Sequence, residues 1–181
     1  MISLGFLSPS RCEPGTLASP LARAIDTVSD TDSRSDAGLR EEGVRHGPVR
    51  DLSLDGKVEL RGDLDLVIPL AGEELVRLSP RRGLLLTGEP VEAVERARAA
   101  GVLAYDASGL LAGVELRGEQ VMRRLTDLDL DALPAAGPFA RMTAIVLRDG
   151  DAFRVYVPQE LGYDAAVAVL DAIAGLEGTR A

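Results

Sequence analysis

The sequence predicts an α+β fold of two small ferredoxin-like (split βαβ) units with antiparallel sheets, preceded by a flexible N-terminal arm. From Val49 onward, short strand patterns alternate with helix patterns. Short hairpins with helices on one side favour the split βαβ arrangement. The chain has 181 residues, of which 46% are hydrophobic. It is therefore long enough for two small domains and apolar enough to bury a core.

The N-terminal arm and linker are expected to cover residues 1–47. The segment 26–36 is rich in Ser, Asp and Thr and lacks apolar periodicity, which is typical of a solvated linker. Ahead of it, Pro20 stands at the start of a short predicted helix with Leu21 and Ile25 on one face. An arm of this kind often buries its apolar face on a partner, so we expect docking through Pro20, Leu21 and Ile25.

The first α+β unit is predicted to span residues 48–101. Its strand patterns lie around Val58–Leu60, Leu64–Leu70, Leu75–Leu78 and Leu84–Leu86. A helix is predicted over Glu89–Gly101, because Pro90 suits the first helical turn and Gly101 suits the end.

The second unit is predicted to span residues 102–178. Its elements are strands at 102–106, 112–116, 144–147 and 153–157, a helix at 119–125 and a closing amphipathic helix at 161–176. The turn at 149–151 joins the last two strands.

Composition excludes several classes of function. With 29 acidic and 20 basic side chains, the formal charge of −9 would repel nucleic acid and anionic lipid. No apolar run reaches the ~20 residues of a membrane span, so we expect a cytoplasmic protein. The single cysteine, Cys12, and the single histidine, His46, argue against zinc, haem or iron–sulfur ligation by this chain. There is no phosphate-binding glycine loop, and the only lysine is Lys57.

Candidate ligand-binding residues follow an apolar strand. Asp106 and Ser108 form a tight turn whose carboxylate could hold a ligand amine or pterin nitrogens. Asp106 could equally cap its own turn, as Asx residues commonly do. Arg117 is a further candidate, and Arg81 and Arg82 could attract the acidic patch of a partner.

A triplet of carboxylates at Asp127, Asp129 and Asp131 invites a Ca²⁺ or Mg²⁺ hypothesis. The alternation with leucines favours a plain extended segment with its acids in water and its leucines in the core. We therefore predict no metal site and no catalytic residue in this chain.

The order of several segments resembles the gamma subunit of heterotetrameric sarcosine oxidase. The resemblance covers about residues 49–177, with Ser19–Ala22 added. It is carried by Leu78-Ser-Pro-Arg-Arg-Gly-Leu-Leu-Leu86, Ala104-Tyr-Asp-Ala-Ser108, Val114-Glu-Leu-Arg-Gly118, Leu125-Thr-Asp-Leu-Asp-Leu-Asp131, Arg141-Met-Thr-Ala-Ile-Val-Leu-Arg148 and Asp151-Ala-Phe-Arg-Val-Tyr-Val157.

The resemblance implies a fold related to the folate-binding region of the glycine cleavage T-protein. It also implies a noncatalytic, scaffolding subunit beside alpha, beta and delta subunits. FAD, FMN and NAD would belong to the alpha and beta subunits and zinc to delta, with tetrahydrofolate as a further ligand in the complex. Such complexes oxidise sarcosine to glycine, forming H2O2 and either formaldehyde or methylene-tetrahydrofolate.

Two alternatives stay open at this point. One is a stand-alone tetrahydrofolate-binding aminomethyltransferase that uses Asp106 and Ser108. The hairpin Ala144–Phe153 lacks the paired acids that folate-dependent relatives carry after a glycine, which argues against it. The other alternative is a free-standing, ligand-sensing α+β module.

Overall fold

The structure is a computed structural model that describes Ser19, Leu21 and residues 49–177. Two antiparallel sheets and three α-helices make up this part of the chain, which confirms the predicted α+β class. The strands are β1 (Arg50–Asp51), β2 (Gly56–Arg61), β3 (Glu74–Ser79), β4 (Arg82–Thr87), β5 (Leu103–Asp106), β6 (Leu111–Arg117), β7 (Ala135–Phe139), β8 (Met142–Asp149) and β9 (Ala152–Pro158). The helices are α1 (Pro90–Ala99), α2 (Glu119–Leu125) and α3 (Gly162–Glu177).

The first unit is a four-stranded sheet in the order β3-β4-β2-β5, covered by α1. Alternation along β2 directs Val58 and Leu60 to the helix side, where they are fully buried. On α1, Ala93, Val94 and Ala97 form the facing stripe. This strand order is that of a ferredoxin-like unit.

A short crossover joins β2 to β3 where a ferredoxin-like unit usually has a helix. It contains only the 3₁₀ turn Leu64–Leu66, capped by Asp63, whose carboxylate accepts from the Asp65 N–H at 3.1 Å. Leu64 and Val67 are buried against the sheet. The strand predicted over Leu64–Leu70 is therefore wrong, because the Asp cap and Pro69 favour a turn and an irregular segment over a ladder.

The second unit is a five-stranded sheet in the order β1-β6-β9-β8-β7, with α2 and α3 on one face. Its core holds Phe139, Phe153 and Val169, all fully buried. Leu21 belongs to the same core and is 1% exposed. The arm thus buries this leucine on its own domain, which corrects the expectation that Leu21 docks on a partner.

The two sheets pack face to face. Val76 and Leu84 of the first sheet meet Leu147 and Tyr156 of the second, and Leu52 lies in the same layer. The order of layers is therefore α1, first sheet, second sheet, and then α2 with α3.

The units are interleaved in the chain. β5 pairs antiparallel with β2, so the change of sheet falls after Asp106 rather than at residue 101. β1 precedes the first unit but pairs with β6 of the second, with Arg50 opposite Glu115. The second sheet therefore contains strands that lie before and after the first unit in the sequence.

Candidate functional site at the junction of the sheets

A cleft of about 510 Å³ opens where the two sheets meet, and we call it the junction cleft. Both units supply its walls, and its volume lies in the range of ligand and peptide pockets. Its lining residues are Arg50, Leu52, Leu54, Asp55, Gly56, Gly72, Glu74, Leu86, Thr87, Gly88, Glu115, Asp149, Arg154 and Tyr156. The pairing of distant strands builds it, since these residues come from β1 and the loop after it, the starts of β2 and β3, the end of β4, and β6, β8 and β9.

Tyr156 forms one wall of the junction cleft. Its side chain is 2% exposed, and burial raises the pKa of its hydroxyl to about 12. The backbone of Gly113 lies directly against its ring: a Cβ built there would stand 2.8 Å from Cε1 of Tyr156. Only glycine at position 113 allows this approach.

Lys57 lies behind Tyr156 and is fully buried. Its Nζ donates to the carbonyl oxygens of Ser53 at 3.0 Å and Asp55 at 2.6 Å, and it stands 5.9 Å from the centre of the Tyr156 ring. Burial lowers the pKa of Lys57, although the nearby carboxylates of Asp55, Asp51 and Asp106 act in the opposite direction. The lysine thus fixes the loop between β1 and β2 from the inside.

Arg154 ties the two sheets together across the junction cleft. Its guanidinium donates to Glu74 at 2.9 Å through Nη2 and lies 2.7 Å from the other carboxylate oxygen through Nη1. This two-point pair raises the pKa of Arg154. The charge of Arg154 is therefore already balanced within the chain.

Asp106 and Ser108, the predicted ligand-binding pair, hold their own turn. The Asp106 carboxylate accepts from the Ser108 N–H at 2.9 Å, and hydrogen bonds from Ser108 lower the pKa of Asp106. The Ser108 hydroxyl accepts from the Lys57 N–H at 3.0 Å. These contacts match the alternative in which Asp106 caps its turn. No observation tests whether either residue binds a ligand, so that hypothesis stays a prediction.

Arg117 does not meet this pair. β6 runs from Leu111, near the turn, to Arg117, and a strand of that length separates its ends by ~20 Å. The three residues proposed as ligand-binding candidates therefore do not form one site.

The predicted docking residues lie in different places. Arg81 lies in the turn after β3, and Arg82 is the first residue of β4. Both are exposed, and the Nε of Arg82 donates to Glu59 at 3.0 Å. Leu21 is buried in the second unit, as described above. Pro20 and Ile25 lie outside the described residues.

The sequence analysis missed the residues of the junction cleft. Lys57 was noticed only as the sole lysine of the chain, and its neighbours, Asp55 and Gly56 before it and Val58 and Glu59 after it, give no signal that it is buried. Tyr156 lies in an apolar strand and gives no such signal. Within residues 49–177, no three His, Cys, Asp or Glu residues are grouped as metal ligands, and no helix is long and apolar enough to cross a membrane.

Comparison with known proteins gives a match in structure only. No family model and no curated protein matches the sequence. The fold is similar to a chain of the heterotetrameric sarcosine oxidase from Corynebacterium sp. U-96, solved in complex with pyrrole 2-carboxylate. The TM-score is 0.68 at 16% sequence identity, over 87% of this chain and 95% of that chain. At this identity the likeness shows a shared fold, and it agrees with the resemblance seen in the sequence.

A second solved structure is more distant. The regulatory subunit of aspartate kinase from Thermus thermophilus aligns with a TM-score of 0.47 at 14% identity, over 71% of this chain and 99% of that chain.

Proposed function

We propose that this chain is the noncatalytic gamma subunit of a cytoplasmic, heterotetrameric sarcosine oxidase-like complex. The observation that carries the proposal is the fold match, which spans nearly all of both chains. A match over 95% of the other chain indicates a counterpart of similar extent, rather than a module shared with a larger enzyme.

The contacts of the candidate residues support a structural role. Asp106 and Ser108 serve the turn after β5, and Arg154 is paired with Glu74. Lys57 is fully buried and engaged with two carbonyl groups. These polar groups stabilise the fold, so the contribution of the chain to a complex would come from its surfaces.

The complex would carry its cofactors on other chains. We propose FAD, FMN and NAD on the alpha and beta subunits, zinc on the delta subunit, and oxidation of sarcosine to glycine with O2. The one-carbon unit would leave as formaldehyde or pass to tetrahydrofolate.

Co-purification tests this function. The full chain, tagged and produced in its native source, is expected to co-elute with flavin absorbance and with sarcosine-dependent H2O2 formation. The matched control is the tagged chain produced alone, which should elute without flavin. A tagged chain from the native source that elutes as a flavin-free monomer would contradict the proposal.

Calorimetry separates the proposal from the alternative of a stand-alone aminomethyltransferase. Titration of the isolated full chain with tetrahydrofolate is expected to give no heat of binding. Saturable binding that is lost in Asp106→Asn would favour the enzyme alternative instead.

A further inference from the structure

We propose that the open edge of β3 is a strand-addition site, where an extended, uncharged segment of a partner subunit pairs with the backbone. The inference rests on the proposed function, because it names the surface on which a neighbouring subunit would dock. A groove of about 330 Å³ runs along this edge, and we call it the β3 groove. Its lining residues are Glu74, Leu75, Val76, Arg77, Pro134, Leu147 and Arg148.

Four consecutive residues of β3 line the β3 groove. Successive side chains of a strand point to opposite faces of its sheet, so only the edge of the strand can present four residues in a row. β3 is the outermost strand of the first sheet, in the order β3-β4-β2-β5. One wall of the groove is therefore backbone, and the opposite wall is formed by Pro134 with Leu147 and Arg148 of β8.

The register of the first sheet fixes the direction of each backbone group, because successive residues of an antiparallel strand face alternate neighbours. The Ala107 N–H donates to the Lys57 carbonyl at 2.8 Å, so the backbone of Lys57 faces β5. The next residue of β2, Val58, therefore faces β4, where it lies opposite Leu85. The backbone of Leu84, the neighbour of Leu85, must then face β3.

On β3 the same alternation directs Leu75 into the groove. Leu84 lies opposite Val76, whose backbone faces β4. Leu75 consequently directs its N–H and C=O groups away from the sheet, and Arg77 directs its N–H the same way. Within residues 49–177, no hydrogen bond engages these groups. Leu75 therefore presents a free donor and a free acceptor, which are the two groups that an added strand bonds.

The other edge strands are closed, which sets β3 apart. On β5, the outward carbonyl of Ala104 accepts from Arg98 through Nε at 3.0 Å and Nη2 at 2.8 Å. On β7, Pro138 has no N–H, and its carbonyl accepts from the Thr126 hydroxyl at 2.6 Å. β1 has only two residues. Native sheets use such devices to prevent strand pairing, whereas β3 has six residues and no such cap on Leu75.

Charge indicates the chemistry of the occupant. Each charged group of the β3 groove has a partner within the chain: Glu74 pairs with Arg154, Arg77 with Asp65, and Arg148 with Glu119 and Asp131. A charged side chain entering the groove would compete with these ion pairs. An uncharged segment with aliphatic side chains matches the balanced charge of the groove and the apolar wall at Pro134 and Leu147.

The shape of the groove favours a single chain over a second copy of this protein. Pro134, Leu147 and Arg148 stand opposite the free edge of β3. A second β3 would bring the same wall and the rest of its sheet with it, and a space of about 330 Å³ does not admit them. A loop or a terminal segment of a partner subunit enters this space as one extended chain.

Exchange of backbone amide hydrogens tests the pairing directly. It is measured on the isolated full chain and on the complex of the full chain with the flavin-containing subunits produced with it. In the complex, the amides of Leu75 and Arg77 are expected to exchange at least about tenfold more slowly than in the isolated chain. The amide of Leu84, which bonds within the sheet, is the internal control and should change little.

Substitution of Arg77 tests whether its backbone N–H contributes to binding. Arg77→Pro removes the N–H but leaves the ladder to β4 intact, because the sheet does not use that N–H. Arg77→Ala is the matched control, since it removes the same side chain and its ion pair with Asp65 but keeps the N–H. Arg77→Pro is expected to bind the flavin-containing subunits about tenfold more weakly than Arg77→Ala. This ratio should be the same at low and high salt, because no ion pair is involved.

Each outcome decides one proposal. An unsubstituted chain that does not associate with flavin-containing subunits overturns the proposed function, and the docking inference with it. A chain that associates without protection of the Leu75 and Arg77 amides overturns the docking inference alone, whether or not Arg77→Pro folds. Equal binding by folded Arg77→Pro and Arg77→Ala does the same. A dimer of the isolated chain in light scattering, with these amides already protected, would place a second copy at this edge and overturn the assignment to a partner subunit.

Discussion

The two units are both antiparallel, but their strand orders differ, β3-β4-β2-β5 against β1-β6-β9-β8-β7, and they cover their sheets by different means. The second unit buries a continuous apolar layer under α2 and α3, with Leu21 added from the arm. The first unit has α1 and the short crossover between β2 and β3. That crossover is held at its end by Glu73, a carboxylate whose side chain is 7% exposed. In the first unit, hydrogen bonds to one acid therefore hold the crossover against the sheet. In the second unit, apolar packing of the helices covers the sheet.

The contacts of Glu73 show how this works. Its carboxylate accepts from the Leu70 N–H at 2.8 Å, from the Thr87 hydroxyl at 2.9 Å and from Arg96 at 2.5 to 2.6 Å. Burial alone would raise the pKa of Glu73, but these hydrogen bonds and the charge of Arg96 outweigh it and lower the pKa. The crossover, β4 and α1 are therefore joined at one ionised group.

The largest expected effect concerns packing in the second unit. Leu21→Ala should lower the free energy of unfolding by ~2–5 kcal/mol, because it leaves a cavity in a buried core. Urea unfolding followed by circular dichroism measures the change. Ile68→Ala is the matched control in the crossover of the first unit: Ile68 is 77% exposed, so its loss should change stability by less than ~0.5 kcal/mol. Equal effects of the two substitutions would contradict the placement of Leu21.

A smaller effect on stability is expected from loss of the Glu73 carboxylate in the first unit. Glu73→Gln should cost ~1.5–3 kcal/mol at neutral pH, because charge-assisted hydrogen bonds are lost from a buried position. Since the folded pKa of Glu73 lies below its ordinary value, its contribution is present above the ordinary carboxyl pKa of ~4.3 and is lost as the pH falls through the folded pKa. The difference between the two proteins should therefore shrink in acid. Urea titrations at a series of pH values measure it.

Glu119→Gln is the matched control for Glu73→Gln in the second unit. Glu119 pairs with Arg123 one helical turn away on α2 and with Arg148 of β8, both at the surface, where solvent screens the interactions. Its substitution is expected to leave the unfolding midpoint almost unchanged. A control that destabilises as much as Glu73→Gln would remove the contrast between the units.

The contact between the units should give the smallest change of the three. Gly113→Ala would place a Cβ 2.8 Å from the Tyr156 ring and 2.9 Å from Cβ of Leu52. Overpacking of this kind costs ~1–3 kcal/mol. Thermal unfolding compares it with Gly109→Ala, where nothing lies within 4 Å of the added Cβ. A Tm equal to that of the control would show that Tyr156 and Leu52 move aside for the added Cβ without loss of stability.

Local pattern was sufficient for elements with strong periodicity. Pro90 and Gly101 bracketed α1 correctly, and residues 119–125 form α2 as expected. The turn at 149–151 does join two long strands. In each case the signal lies within the element itself, so no knowledge of the tertiary fold was needed.

Weak or non-local signals were missed. β7 has the sequence Ala-Ala-Gly-Pro-Phe, and these residue types are rare in strands. The sheet tolerates this sequence because β7 is an edge strand, where Pro138 leaves no interior hydrogen bond unmade. The junction cleft is assembled from segments far apart in sequence, so no motif could indicate it. Leu21 was interpreted as a docking residue because the sequence pattern shows an apolar face but does not show which surface covers that face.

The pairing of β1 with β6 nests one unit inside the other. Leu21 and β1 precede the first unit, and their partners in the second unit follow it. During synthesis from the N-terminus, the first unit can close its local strand pairs while β1 still awaits β6. The second unit must then form around the folded first unit. The native topology therefore depends on the pairing of the strands that are synthesised last.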